Sequence, residues 1–315
     1  MTAGRRPGRR SPGPPSRADA SAGRPVTFFS EGLRLAGLLY QPRRPRRSAS
    51  PAVVLCHGFA AVKELYLPPL ARAFAGAGFA VLTFDYRGFG ESEGPPGRLI
   101  PDEQVRDVRN ALTFLASQPG VDGRRVALFG TSLGGGIAVA AGAVEPRVRA
   151  VVSSVGLGDG GRWLRGMRPY WEWVELRRRI DADRLRRVLT GVSERVDRRE
   201  IAPPDPAADR AHRAAGAAVP HRRTEITLEA AEAIVDFKPE AVVDRLSPRP
   251  LLVVAAGEDT RVPVEESLRL YERAGEPKTL VVLEGAAHHD VYEPPVRDRL
   301  LAAVLPWLSS QLSPT

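Results

Sequence analysis

The sequence predicts an α/β fold, with a mostly parallel central sheet flanked by helices and interrupted by a helical insertion. Three observations carry this. Short continuous apolar runs, "AVVLC" (52–56), "FAVLTFD" (79–85), "RVALF" (125–129), "VRAVVSS" (148–154) and "RPLLVVAAG" (249–257), read as strands buried on both faces. Segments of helical spacing separate them, which implies right-handed crossovers between parallel strands. The alternation lapses from Gly156 to about Glu240 and then resumes. A chain of 315 residues that is 43% hydrophobic can bury one such core without covalent staples.

Taken in order, residues 1–24 form a basic tail. "GRRPGRRSPGPPSRADASAGRP" holds Pro, Gly, Ser and Arg and almost nothing to bury, so disorder is expected. Its arginine pairs have no apolar run behind them, unlike a signal peptide. Residues 25–155 form the first part of the core. "VTFFS" and "LRLAGLLY" flank Glu31-Gly32, a hairpin signal, and a basic loop, "QPRRPRRSASP", precedes the first buried strand. "LPPLARAFAGAG" reads as a helix ending at Gly76 or Gly78. Pro101 to Ser117 places Val105, Val108, Leu112 and Leu115 on one helical face. "LGGGIAVAAGAV" (133–144) is a helix of small residues suited to close packing on a sheet.

Residues 156–240 form the insertion. Trp173, Leu176 and Ile180, then Leu185, Val188 and Leu189, alternate with arginines as in an amphipathic helix. A Pro/Ala-rich connector, "IAPPDPAADRAHRAAGAAVPHRR", follows, and then "TLEAAEAIVDF", a helix with Thr227 as the expected cap. Residues 241–315 complete the core: the strand at 249–257, a helix from Pro263, the strand "KTLVVLEG" (278–285), and a last helix from about Pro294 to Leu312.

The net charge of +9 invites a nucleic-acid reading. Arginine dominates, with lysine only at 63, 238 and 278, and the tail carries no aromatic residues to stack on bases. Neither nucleic acid nor a membrane is an expected partner. The longest uncharged run, Val126 to Val144, is too rich in glycine for a membrane span. The single cysteine, Cys56, excludes an intramolecular disulfide, fits a cytoplasmic location, and reads as an inert core thiol.

Gly-x-Ser-x-Gly occurs twice, at "GESEG" (90–94) and "GTSLG" (130–134). Ser92 precedes "EGPPG", which cannot start a helix, and sits between two carboxylates that would oppose developing negative charge. Ser132 lies between a strand and a helix, where a tight turn exposes a hydroxyl to the helix N-terminus. A hydroxyl needs a base. His212 and His221 fall in the connector and read as surface residues, and His57 reads as shaping its loop. His288 and His289 follow the last strand, where α/β sheets place their sites. His288 is preferred, with His289 the alternative. Asp259, after "LLVVAAGE", is the expected orienting acid; its alternative role is to cap the adjacent helix. Two N–H donors are expected for an oxyanion, from Leu133 and from Phe59, with Ala60 the lesser choice.

These residues together resemble the α/β-hydrolase superfamily. "HGF", "FDYRGFGES", "GTSLGG", "GEDTRVP" and "GAAHHDVY" occur in the family's order. More narrowly, the chain is similar to serine acyl hydrolases related to dienelactone hydrolases and prolyl-oligopeptidase catalytic domains. True dienelactone hydrolases carry a cysteine where this chain has Ser132. The resemblance implies an α/β-hydrolase fold and makes "DYRGFGES" a structural turn. The expected activity is cleavage of a carboxylic ester or thioester through an acyl-enzyme, on Ser132, His288 and Asp259. A small-molecule acyl substrate is expected, with no metal or organic cofactor. Acyl transfer or thioesterase activity of secondary metabolism on the same residues is the alternative; peptidase activity and a non-catalytic binding module stand behind it. The insertion is expected to cover the site as a lid, with Trp163, Tyr170, Trp171 and Trp173 either lining an acyl pocket or docking the lid.

Overall fold

The computed structural model describes residues 23–42, 49–204, 209–210, 219 and 221–314. The basic tail through residue 22, most of the loop at 41–51, and His212 lie outside the described residues.

Eight strands form one sheet in the order β1-β2-β4-β3-β5-β6-β9-β10. The hairpin β1 (Arg24–Ser30) and β2 (Leu33–Tyr40) is antiparallel, and β2 joins β4 (Ala80–Phe84) antiparallel. All other pairings are parallel: β3 (Ser50–Cys56) between β4 and β5 (Val121–Thr131), then β6 (Val148–Ser154), β9 (Leu251–Ala256) and β10 (Lys278–Leu283).

Helices cover both faces. Along β3 the side chains alternate between two cores. Val53 and Leu55 belong to a core with Leu70 and Phe74 of α1 (Leu67–Gly76) and Leu300, Val304 and Leu308 of the C-terminal helix. Ala52, Val54 and Cys56 belong to another, with Val108 and Leu112 of α2 (Pro101–Ala116) and Ile137 of α3 (Leu133–Val144). Every residue of β3 is buried, which is why it reads as an unbroken apolar run. A β-carbon on Gly142 of α3 would lie 2.6 Å from the Val151 side chain, so the small residues let this helix sit close on β6.

The chain passes from β3 to β4 on one side and then crosses to β5 on the other. The loops leaving β3 and β5 therefore diverge and open a crevice at the strands' carboxyl ends.

The insertion holds α4 (Gly160–Gly166), α5 (Tyr170–Thr190), α6 (Arg198–Ile201) and α7 (Glu229–Asp236). It also holds a two-stranded antiparallel sheet, β7 (Arg195–Asp197) with β8 (Glu225–Thr227), which the sequence did not reveal because three residues cannot display a period of two. The expected cap is also corrected. Thr227 belongs to β8, and its buried hydroxyl has no hydrogen-bond partner among the described residues. The Glu229 N–H instead donates to the Ser193 hydroxyl, 3.1 Å away, a cap from 36 residues upstream. On α5 the apolar residues divide between two faces. Leu176 and Ile180 are buried, whereas Leu185, Val188 and Leu189 are exposed. The α5 arginines are largely paired within the insertion: Arg179 with Glu194 and Glu200, Arg184 and Arg187 with Glu232. The core closes with α8 (Val264–Arg273) and α9 (Val296–Gln311).

Candidate active site

Strand β5 ends at Thr131 and α3 begins at Leu133, which leaves Ser132 alone at the corner. Its backbone sits at φ 59°, ψ −129°, a conformation that non-glycine residues rarely adopt. The turn is closed by approaches that only glycine permits. A β-carbon on Gly130 would lie 1.9 Å from the Gly134 carbonyl oxygen, and one on Gly134 would lie 2.3 Å from the Cys56 oxygen. The corner thus holds a strained backbone and lifts a hydroxyl into the crevice between β3 and β5.

The loop after β10 brings an imidazole to that hydroxyl. His288 Nε2 lies 3.1 Å from Ser132 Oγ. His288 Nδ1 lies 2.6 Å from Asp259 Oδ2, in the loop after β9. All three side chains are buried. The other Asp259 oxygen accepts the N–H groups of Arg261 and Val262, at 2.9 and 2.7 Å. One carboxylate therefore shapes its own loop and holds the imidazole. The cap of α8 falls at Pro263, not Asp259, and no side chain serves there. His289 is half-buried, its ring 5.2 Å from that of His288 and 6.0 Å from Tyr66.

His57 Nδ1–H donates to the Gly58 carbonyl, 3.0 Å away, and its ring meets Tyr86 edge-on. Burial pushes its basicity down to about 4, so it stays neutral. Burial likewise pushes the Cys56 thiol up to about 12. His221 is exposed in the connector.

The expected oxyanion donors lie on either side of the serine. Leu133 is the first residue of α3, where the N–H has no intrahelical acceptor. Phe59 follows Gly58, whose hypothetical β-carbon would lie 3.1 Å from the Ser132 β-carbon. Among the described residues, neither amide donates to a backbone carbonyl.

Ser92 is placed elsewhere. Its hydroxyl donates to the Asp85 carbonyl at 2.6 Å and accepts the Ala36 N–H at 2.9 Å, which fastens the "DYRGFGES" turn to β2. The turn's other anchor is Lys63, whose buried ammonium meets Asp85, Glu64 and Glu91.

A small cavity, partly open to solvent, is lined by Ser132 and His288. Phe59 and Trp163 form one wall, with ring centroids 6.0 Å apart. Leu65, Tyr66, Leu67 and Tyr292 form the other. Of the four aromatic residues expected there, Trp163 alone lines this cavity; its indole N–H donates to the Arg261 carbonyl at 2.9 Å. Tyr170 and Trp171 are about 70% exposed, because the first turn of α5 points them away from the core. Trp173 is half-buried and packs on the insertion's side of the core. Tyr66 and Tyr292 were missed by sequence reasoning. Their only signal was position, in loops that leave the carboxyl ends of β3 and β10. Among the described residues no cluster of His, Cys, Asp or Glu is arranged to hold a metal ion, and no helix is long and apolar enough to cross a membrane.

The family model described as "Serine aminopeptidase, S33" matches residues 47–295, most of the chain and every residue of this site. The chain belongs to this family. An uncharacterised 31.7 kDa protein of Escherichia coli is 32% identical over 263 residues, covering 83% of this chain and 91% of that protein. The polyketide transferase GrgF of a Penicillium species is 29% identical over 266 residues, covering 82% of this chain and 87% of that one. The solved α/β-hydrolase GrgF superposes with a TM-score of 0.78 at 25% identity, over 92% and 99% of the two chains. A thiohydrolase of Aspergillus aculeatus, AneE, is 42% identical over 130 residues, 41% of this chain and 40% of its own. The protein is an α/β-hydrolase in fold and a hydrolase in kind.

Proposed function

We propose that this α/β-hydrolase cleaves a carboxylic ester or thioester of a small acyl substrate through an acyl-enzyme on Ser132. One observation carries the reading: a continuous hydrogen-bonded series, Ser132 Oγ to His288 to Asp259, at the wall of a partly enclosed cavity. In this reaction the Ser132 oxygen attacks the carbonyl carbon and its proton passes to His288 Nε2. The Asp259 carboxylate holds the Nδ1–H tautomer and stabilises the imidazolium. The amides of Phe59 and Leu133 donate to the oxyanion, each worth on the order of 10²–10³ in rate. The leaving alkoxide or thiolate takes the proton from His288. Water, deprotonated by the same nitrogen, then attacks the acyl-serine and releases the acid.

A fluorophosphonate probe tests this. Wild-type protein is expected to label at Ser132 and Ser132→Ala not at all; absence of labelling in folded wild-type protein would refute the reading and favour a binding module. A panel of esters and thioesters then identifies the leaving group. A second reading, acyl transfer to an acceptor other than water, is favoured by the similarity to a polyketide transferase along most of both chains. Recovery of free acid alone, with candidate acceptors present, would exclude it.

A further inference from the structure

We propose that Tyr292 is a positioning residue for the nucleophile, its hydroxyl fixing the register between the serine corner and the loop that carries His288. The inference rests on the Ser132 reading above. Attack requires three separate segments in mutual register: the corner at 131–133, the loop carrying His288, and the segment 57–66 that carries Phe59. Tyr292 touches all three. It belongs to the short 3₁₀ turn Asp290–Tyr292, on the loop of His288 itself. Its hydroxyl shares a 2.7 Å hydrogen bond with Thr131 Oγ1, one residue before Ser132. Its ring stacks on Tyr66, with centroids 4.3 Å apart and planes 13° apart.

Both hydroxyl-bearing residues are buried and both line the cavity. A hydrogen bond there exchanges poorly with water, so it holds its geometry. The backbone it steadies needs holding. Ser132 and Tyr66 both have positive φ, at 59° and 67°, and such conformations persist only where the surroundings over-determine them. Burial drives the Tyr292 phenol well above its usual range, so the hydroxyl keeps its proton at every working pH. The contribution of Tyr292 is therefore geometric and independent of pH.

Tyr292→Phe removes the oxygen and keeps the stacked ring. In p-nitrophenyl butyrate hydrolysis, kcat is expected to fall about tenfold, the equivalent of one buried hydrogen bond, with KM within about twofold. The fluorophosphonate labelling rate is expected to fall by the same factor, and the pH profile to keep its shape. Thr131→Val removes the bond from its other end and is expected to match Tyr292→Phe. The double variant is expected to be no slower than either single one, the non-additivity of a shared contact. Thr131→Ser retains the oxygen and is expected to keep kcat. Wild-type kcat in folded Tyr292→Phe overturns the proposal. So does a lowered melting temperature at unchanged turnover per folded molecule, in either variant. Ser132→Ala runs in parallel. If it still turns over, both readings fail; if it is inactive while Tyr292→Phe is unimpaired, the assignment to Tyr292 alone fails.

Discussion

The adjacent side chains of His288 and His289 point to different neighbours. The first reaches both Ser132 and Asp259; the second faces the Tyr66 and Tyr292 rings. We expect His288→Ala to lower kcat by on the order of 10³-fold or more, and His289→Ala to retain turnover, in the same ester assay. The reverse result would move the base by one position. His57 makes a different prediction. Its folded-state basicity, about 4, lies below the usual 6.5, so between these pH values the unfolded chain binds the extra proton. Stability is therefore full above about pH 6.5 and declines as pH falls toward 4, by roughly 3 kcal/mol in all. Urea unfolding at pH 7 and pH 5 checks this. The drop is expected to shrink in His57→Gln.

At the scale of elements, the loop after β3 is held by a buried ion pair. The Lys63 and Asp85 side chains are 2% and 0% exposed, whereas that of Glu91 is 53% exposed. Lys63→Met leaves Asp85 buried without its counter-charge, and we expect a loss of about 3–5 kcal/mol by chemical denaturation. Glu91→Gln is expected to cost under about 1 kcal/mol. Ser193→Ala removes the distant cap of α7 and is expected to cost about 1 kcal/mol. That cap marks where sequence reading stops. Thr227 stands at the right place in the chain, but pairing with β7 claims it for a strand. The central strands were legible because burial on both faces leaves one message, apolarity. The serine corner was legible because Gly130 and Gly134 flank Ser132 in one short motif, although only the Gly130 clash, with the Gly134 carbonyl, is local; a β-carbon on Gly134 would meet the Cys56 carbonyl of β3. The site's far wall was not. Tyr66 and Tyr292 meet across 226 residues of sequence, and no local pattern records a stack of that kind.

On the scale of the whole molecule, the order of strands does most of the assembly. β5, β9 and β10 lie on the same half of the sheet, so the loops at their carboxyl ends bring Ser132, Asp259 and His288 together. The direction of the insertion's aromatic residues was beyond sequence, because α5 carries apolar residues on two faces and only packing selects one. We expect Trp163→Ala, which removes part of the cavity wall, to raise KM for bulky acyl esters about tenfold. Trp171→Ala, on the exposed side, is expected to leave KM within about twofold.

Arg261 spans the boundary between core and insertion. Its guanidinium donates to the carbonyls of Ala202 and Pro203, while its own N–H is held by Asp259. The insertion and the Asp259 carboxylate are thus tethered through Arg261. In the proposed reaction, a substrate that displaced the insertion would, through Arg261, load the carboxylate that holds the imidazole. Discrimination between acyl groups would then register in the rate of attack as well as in affinity.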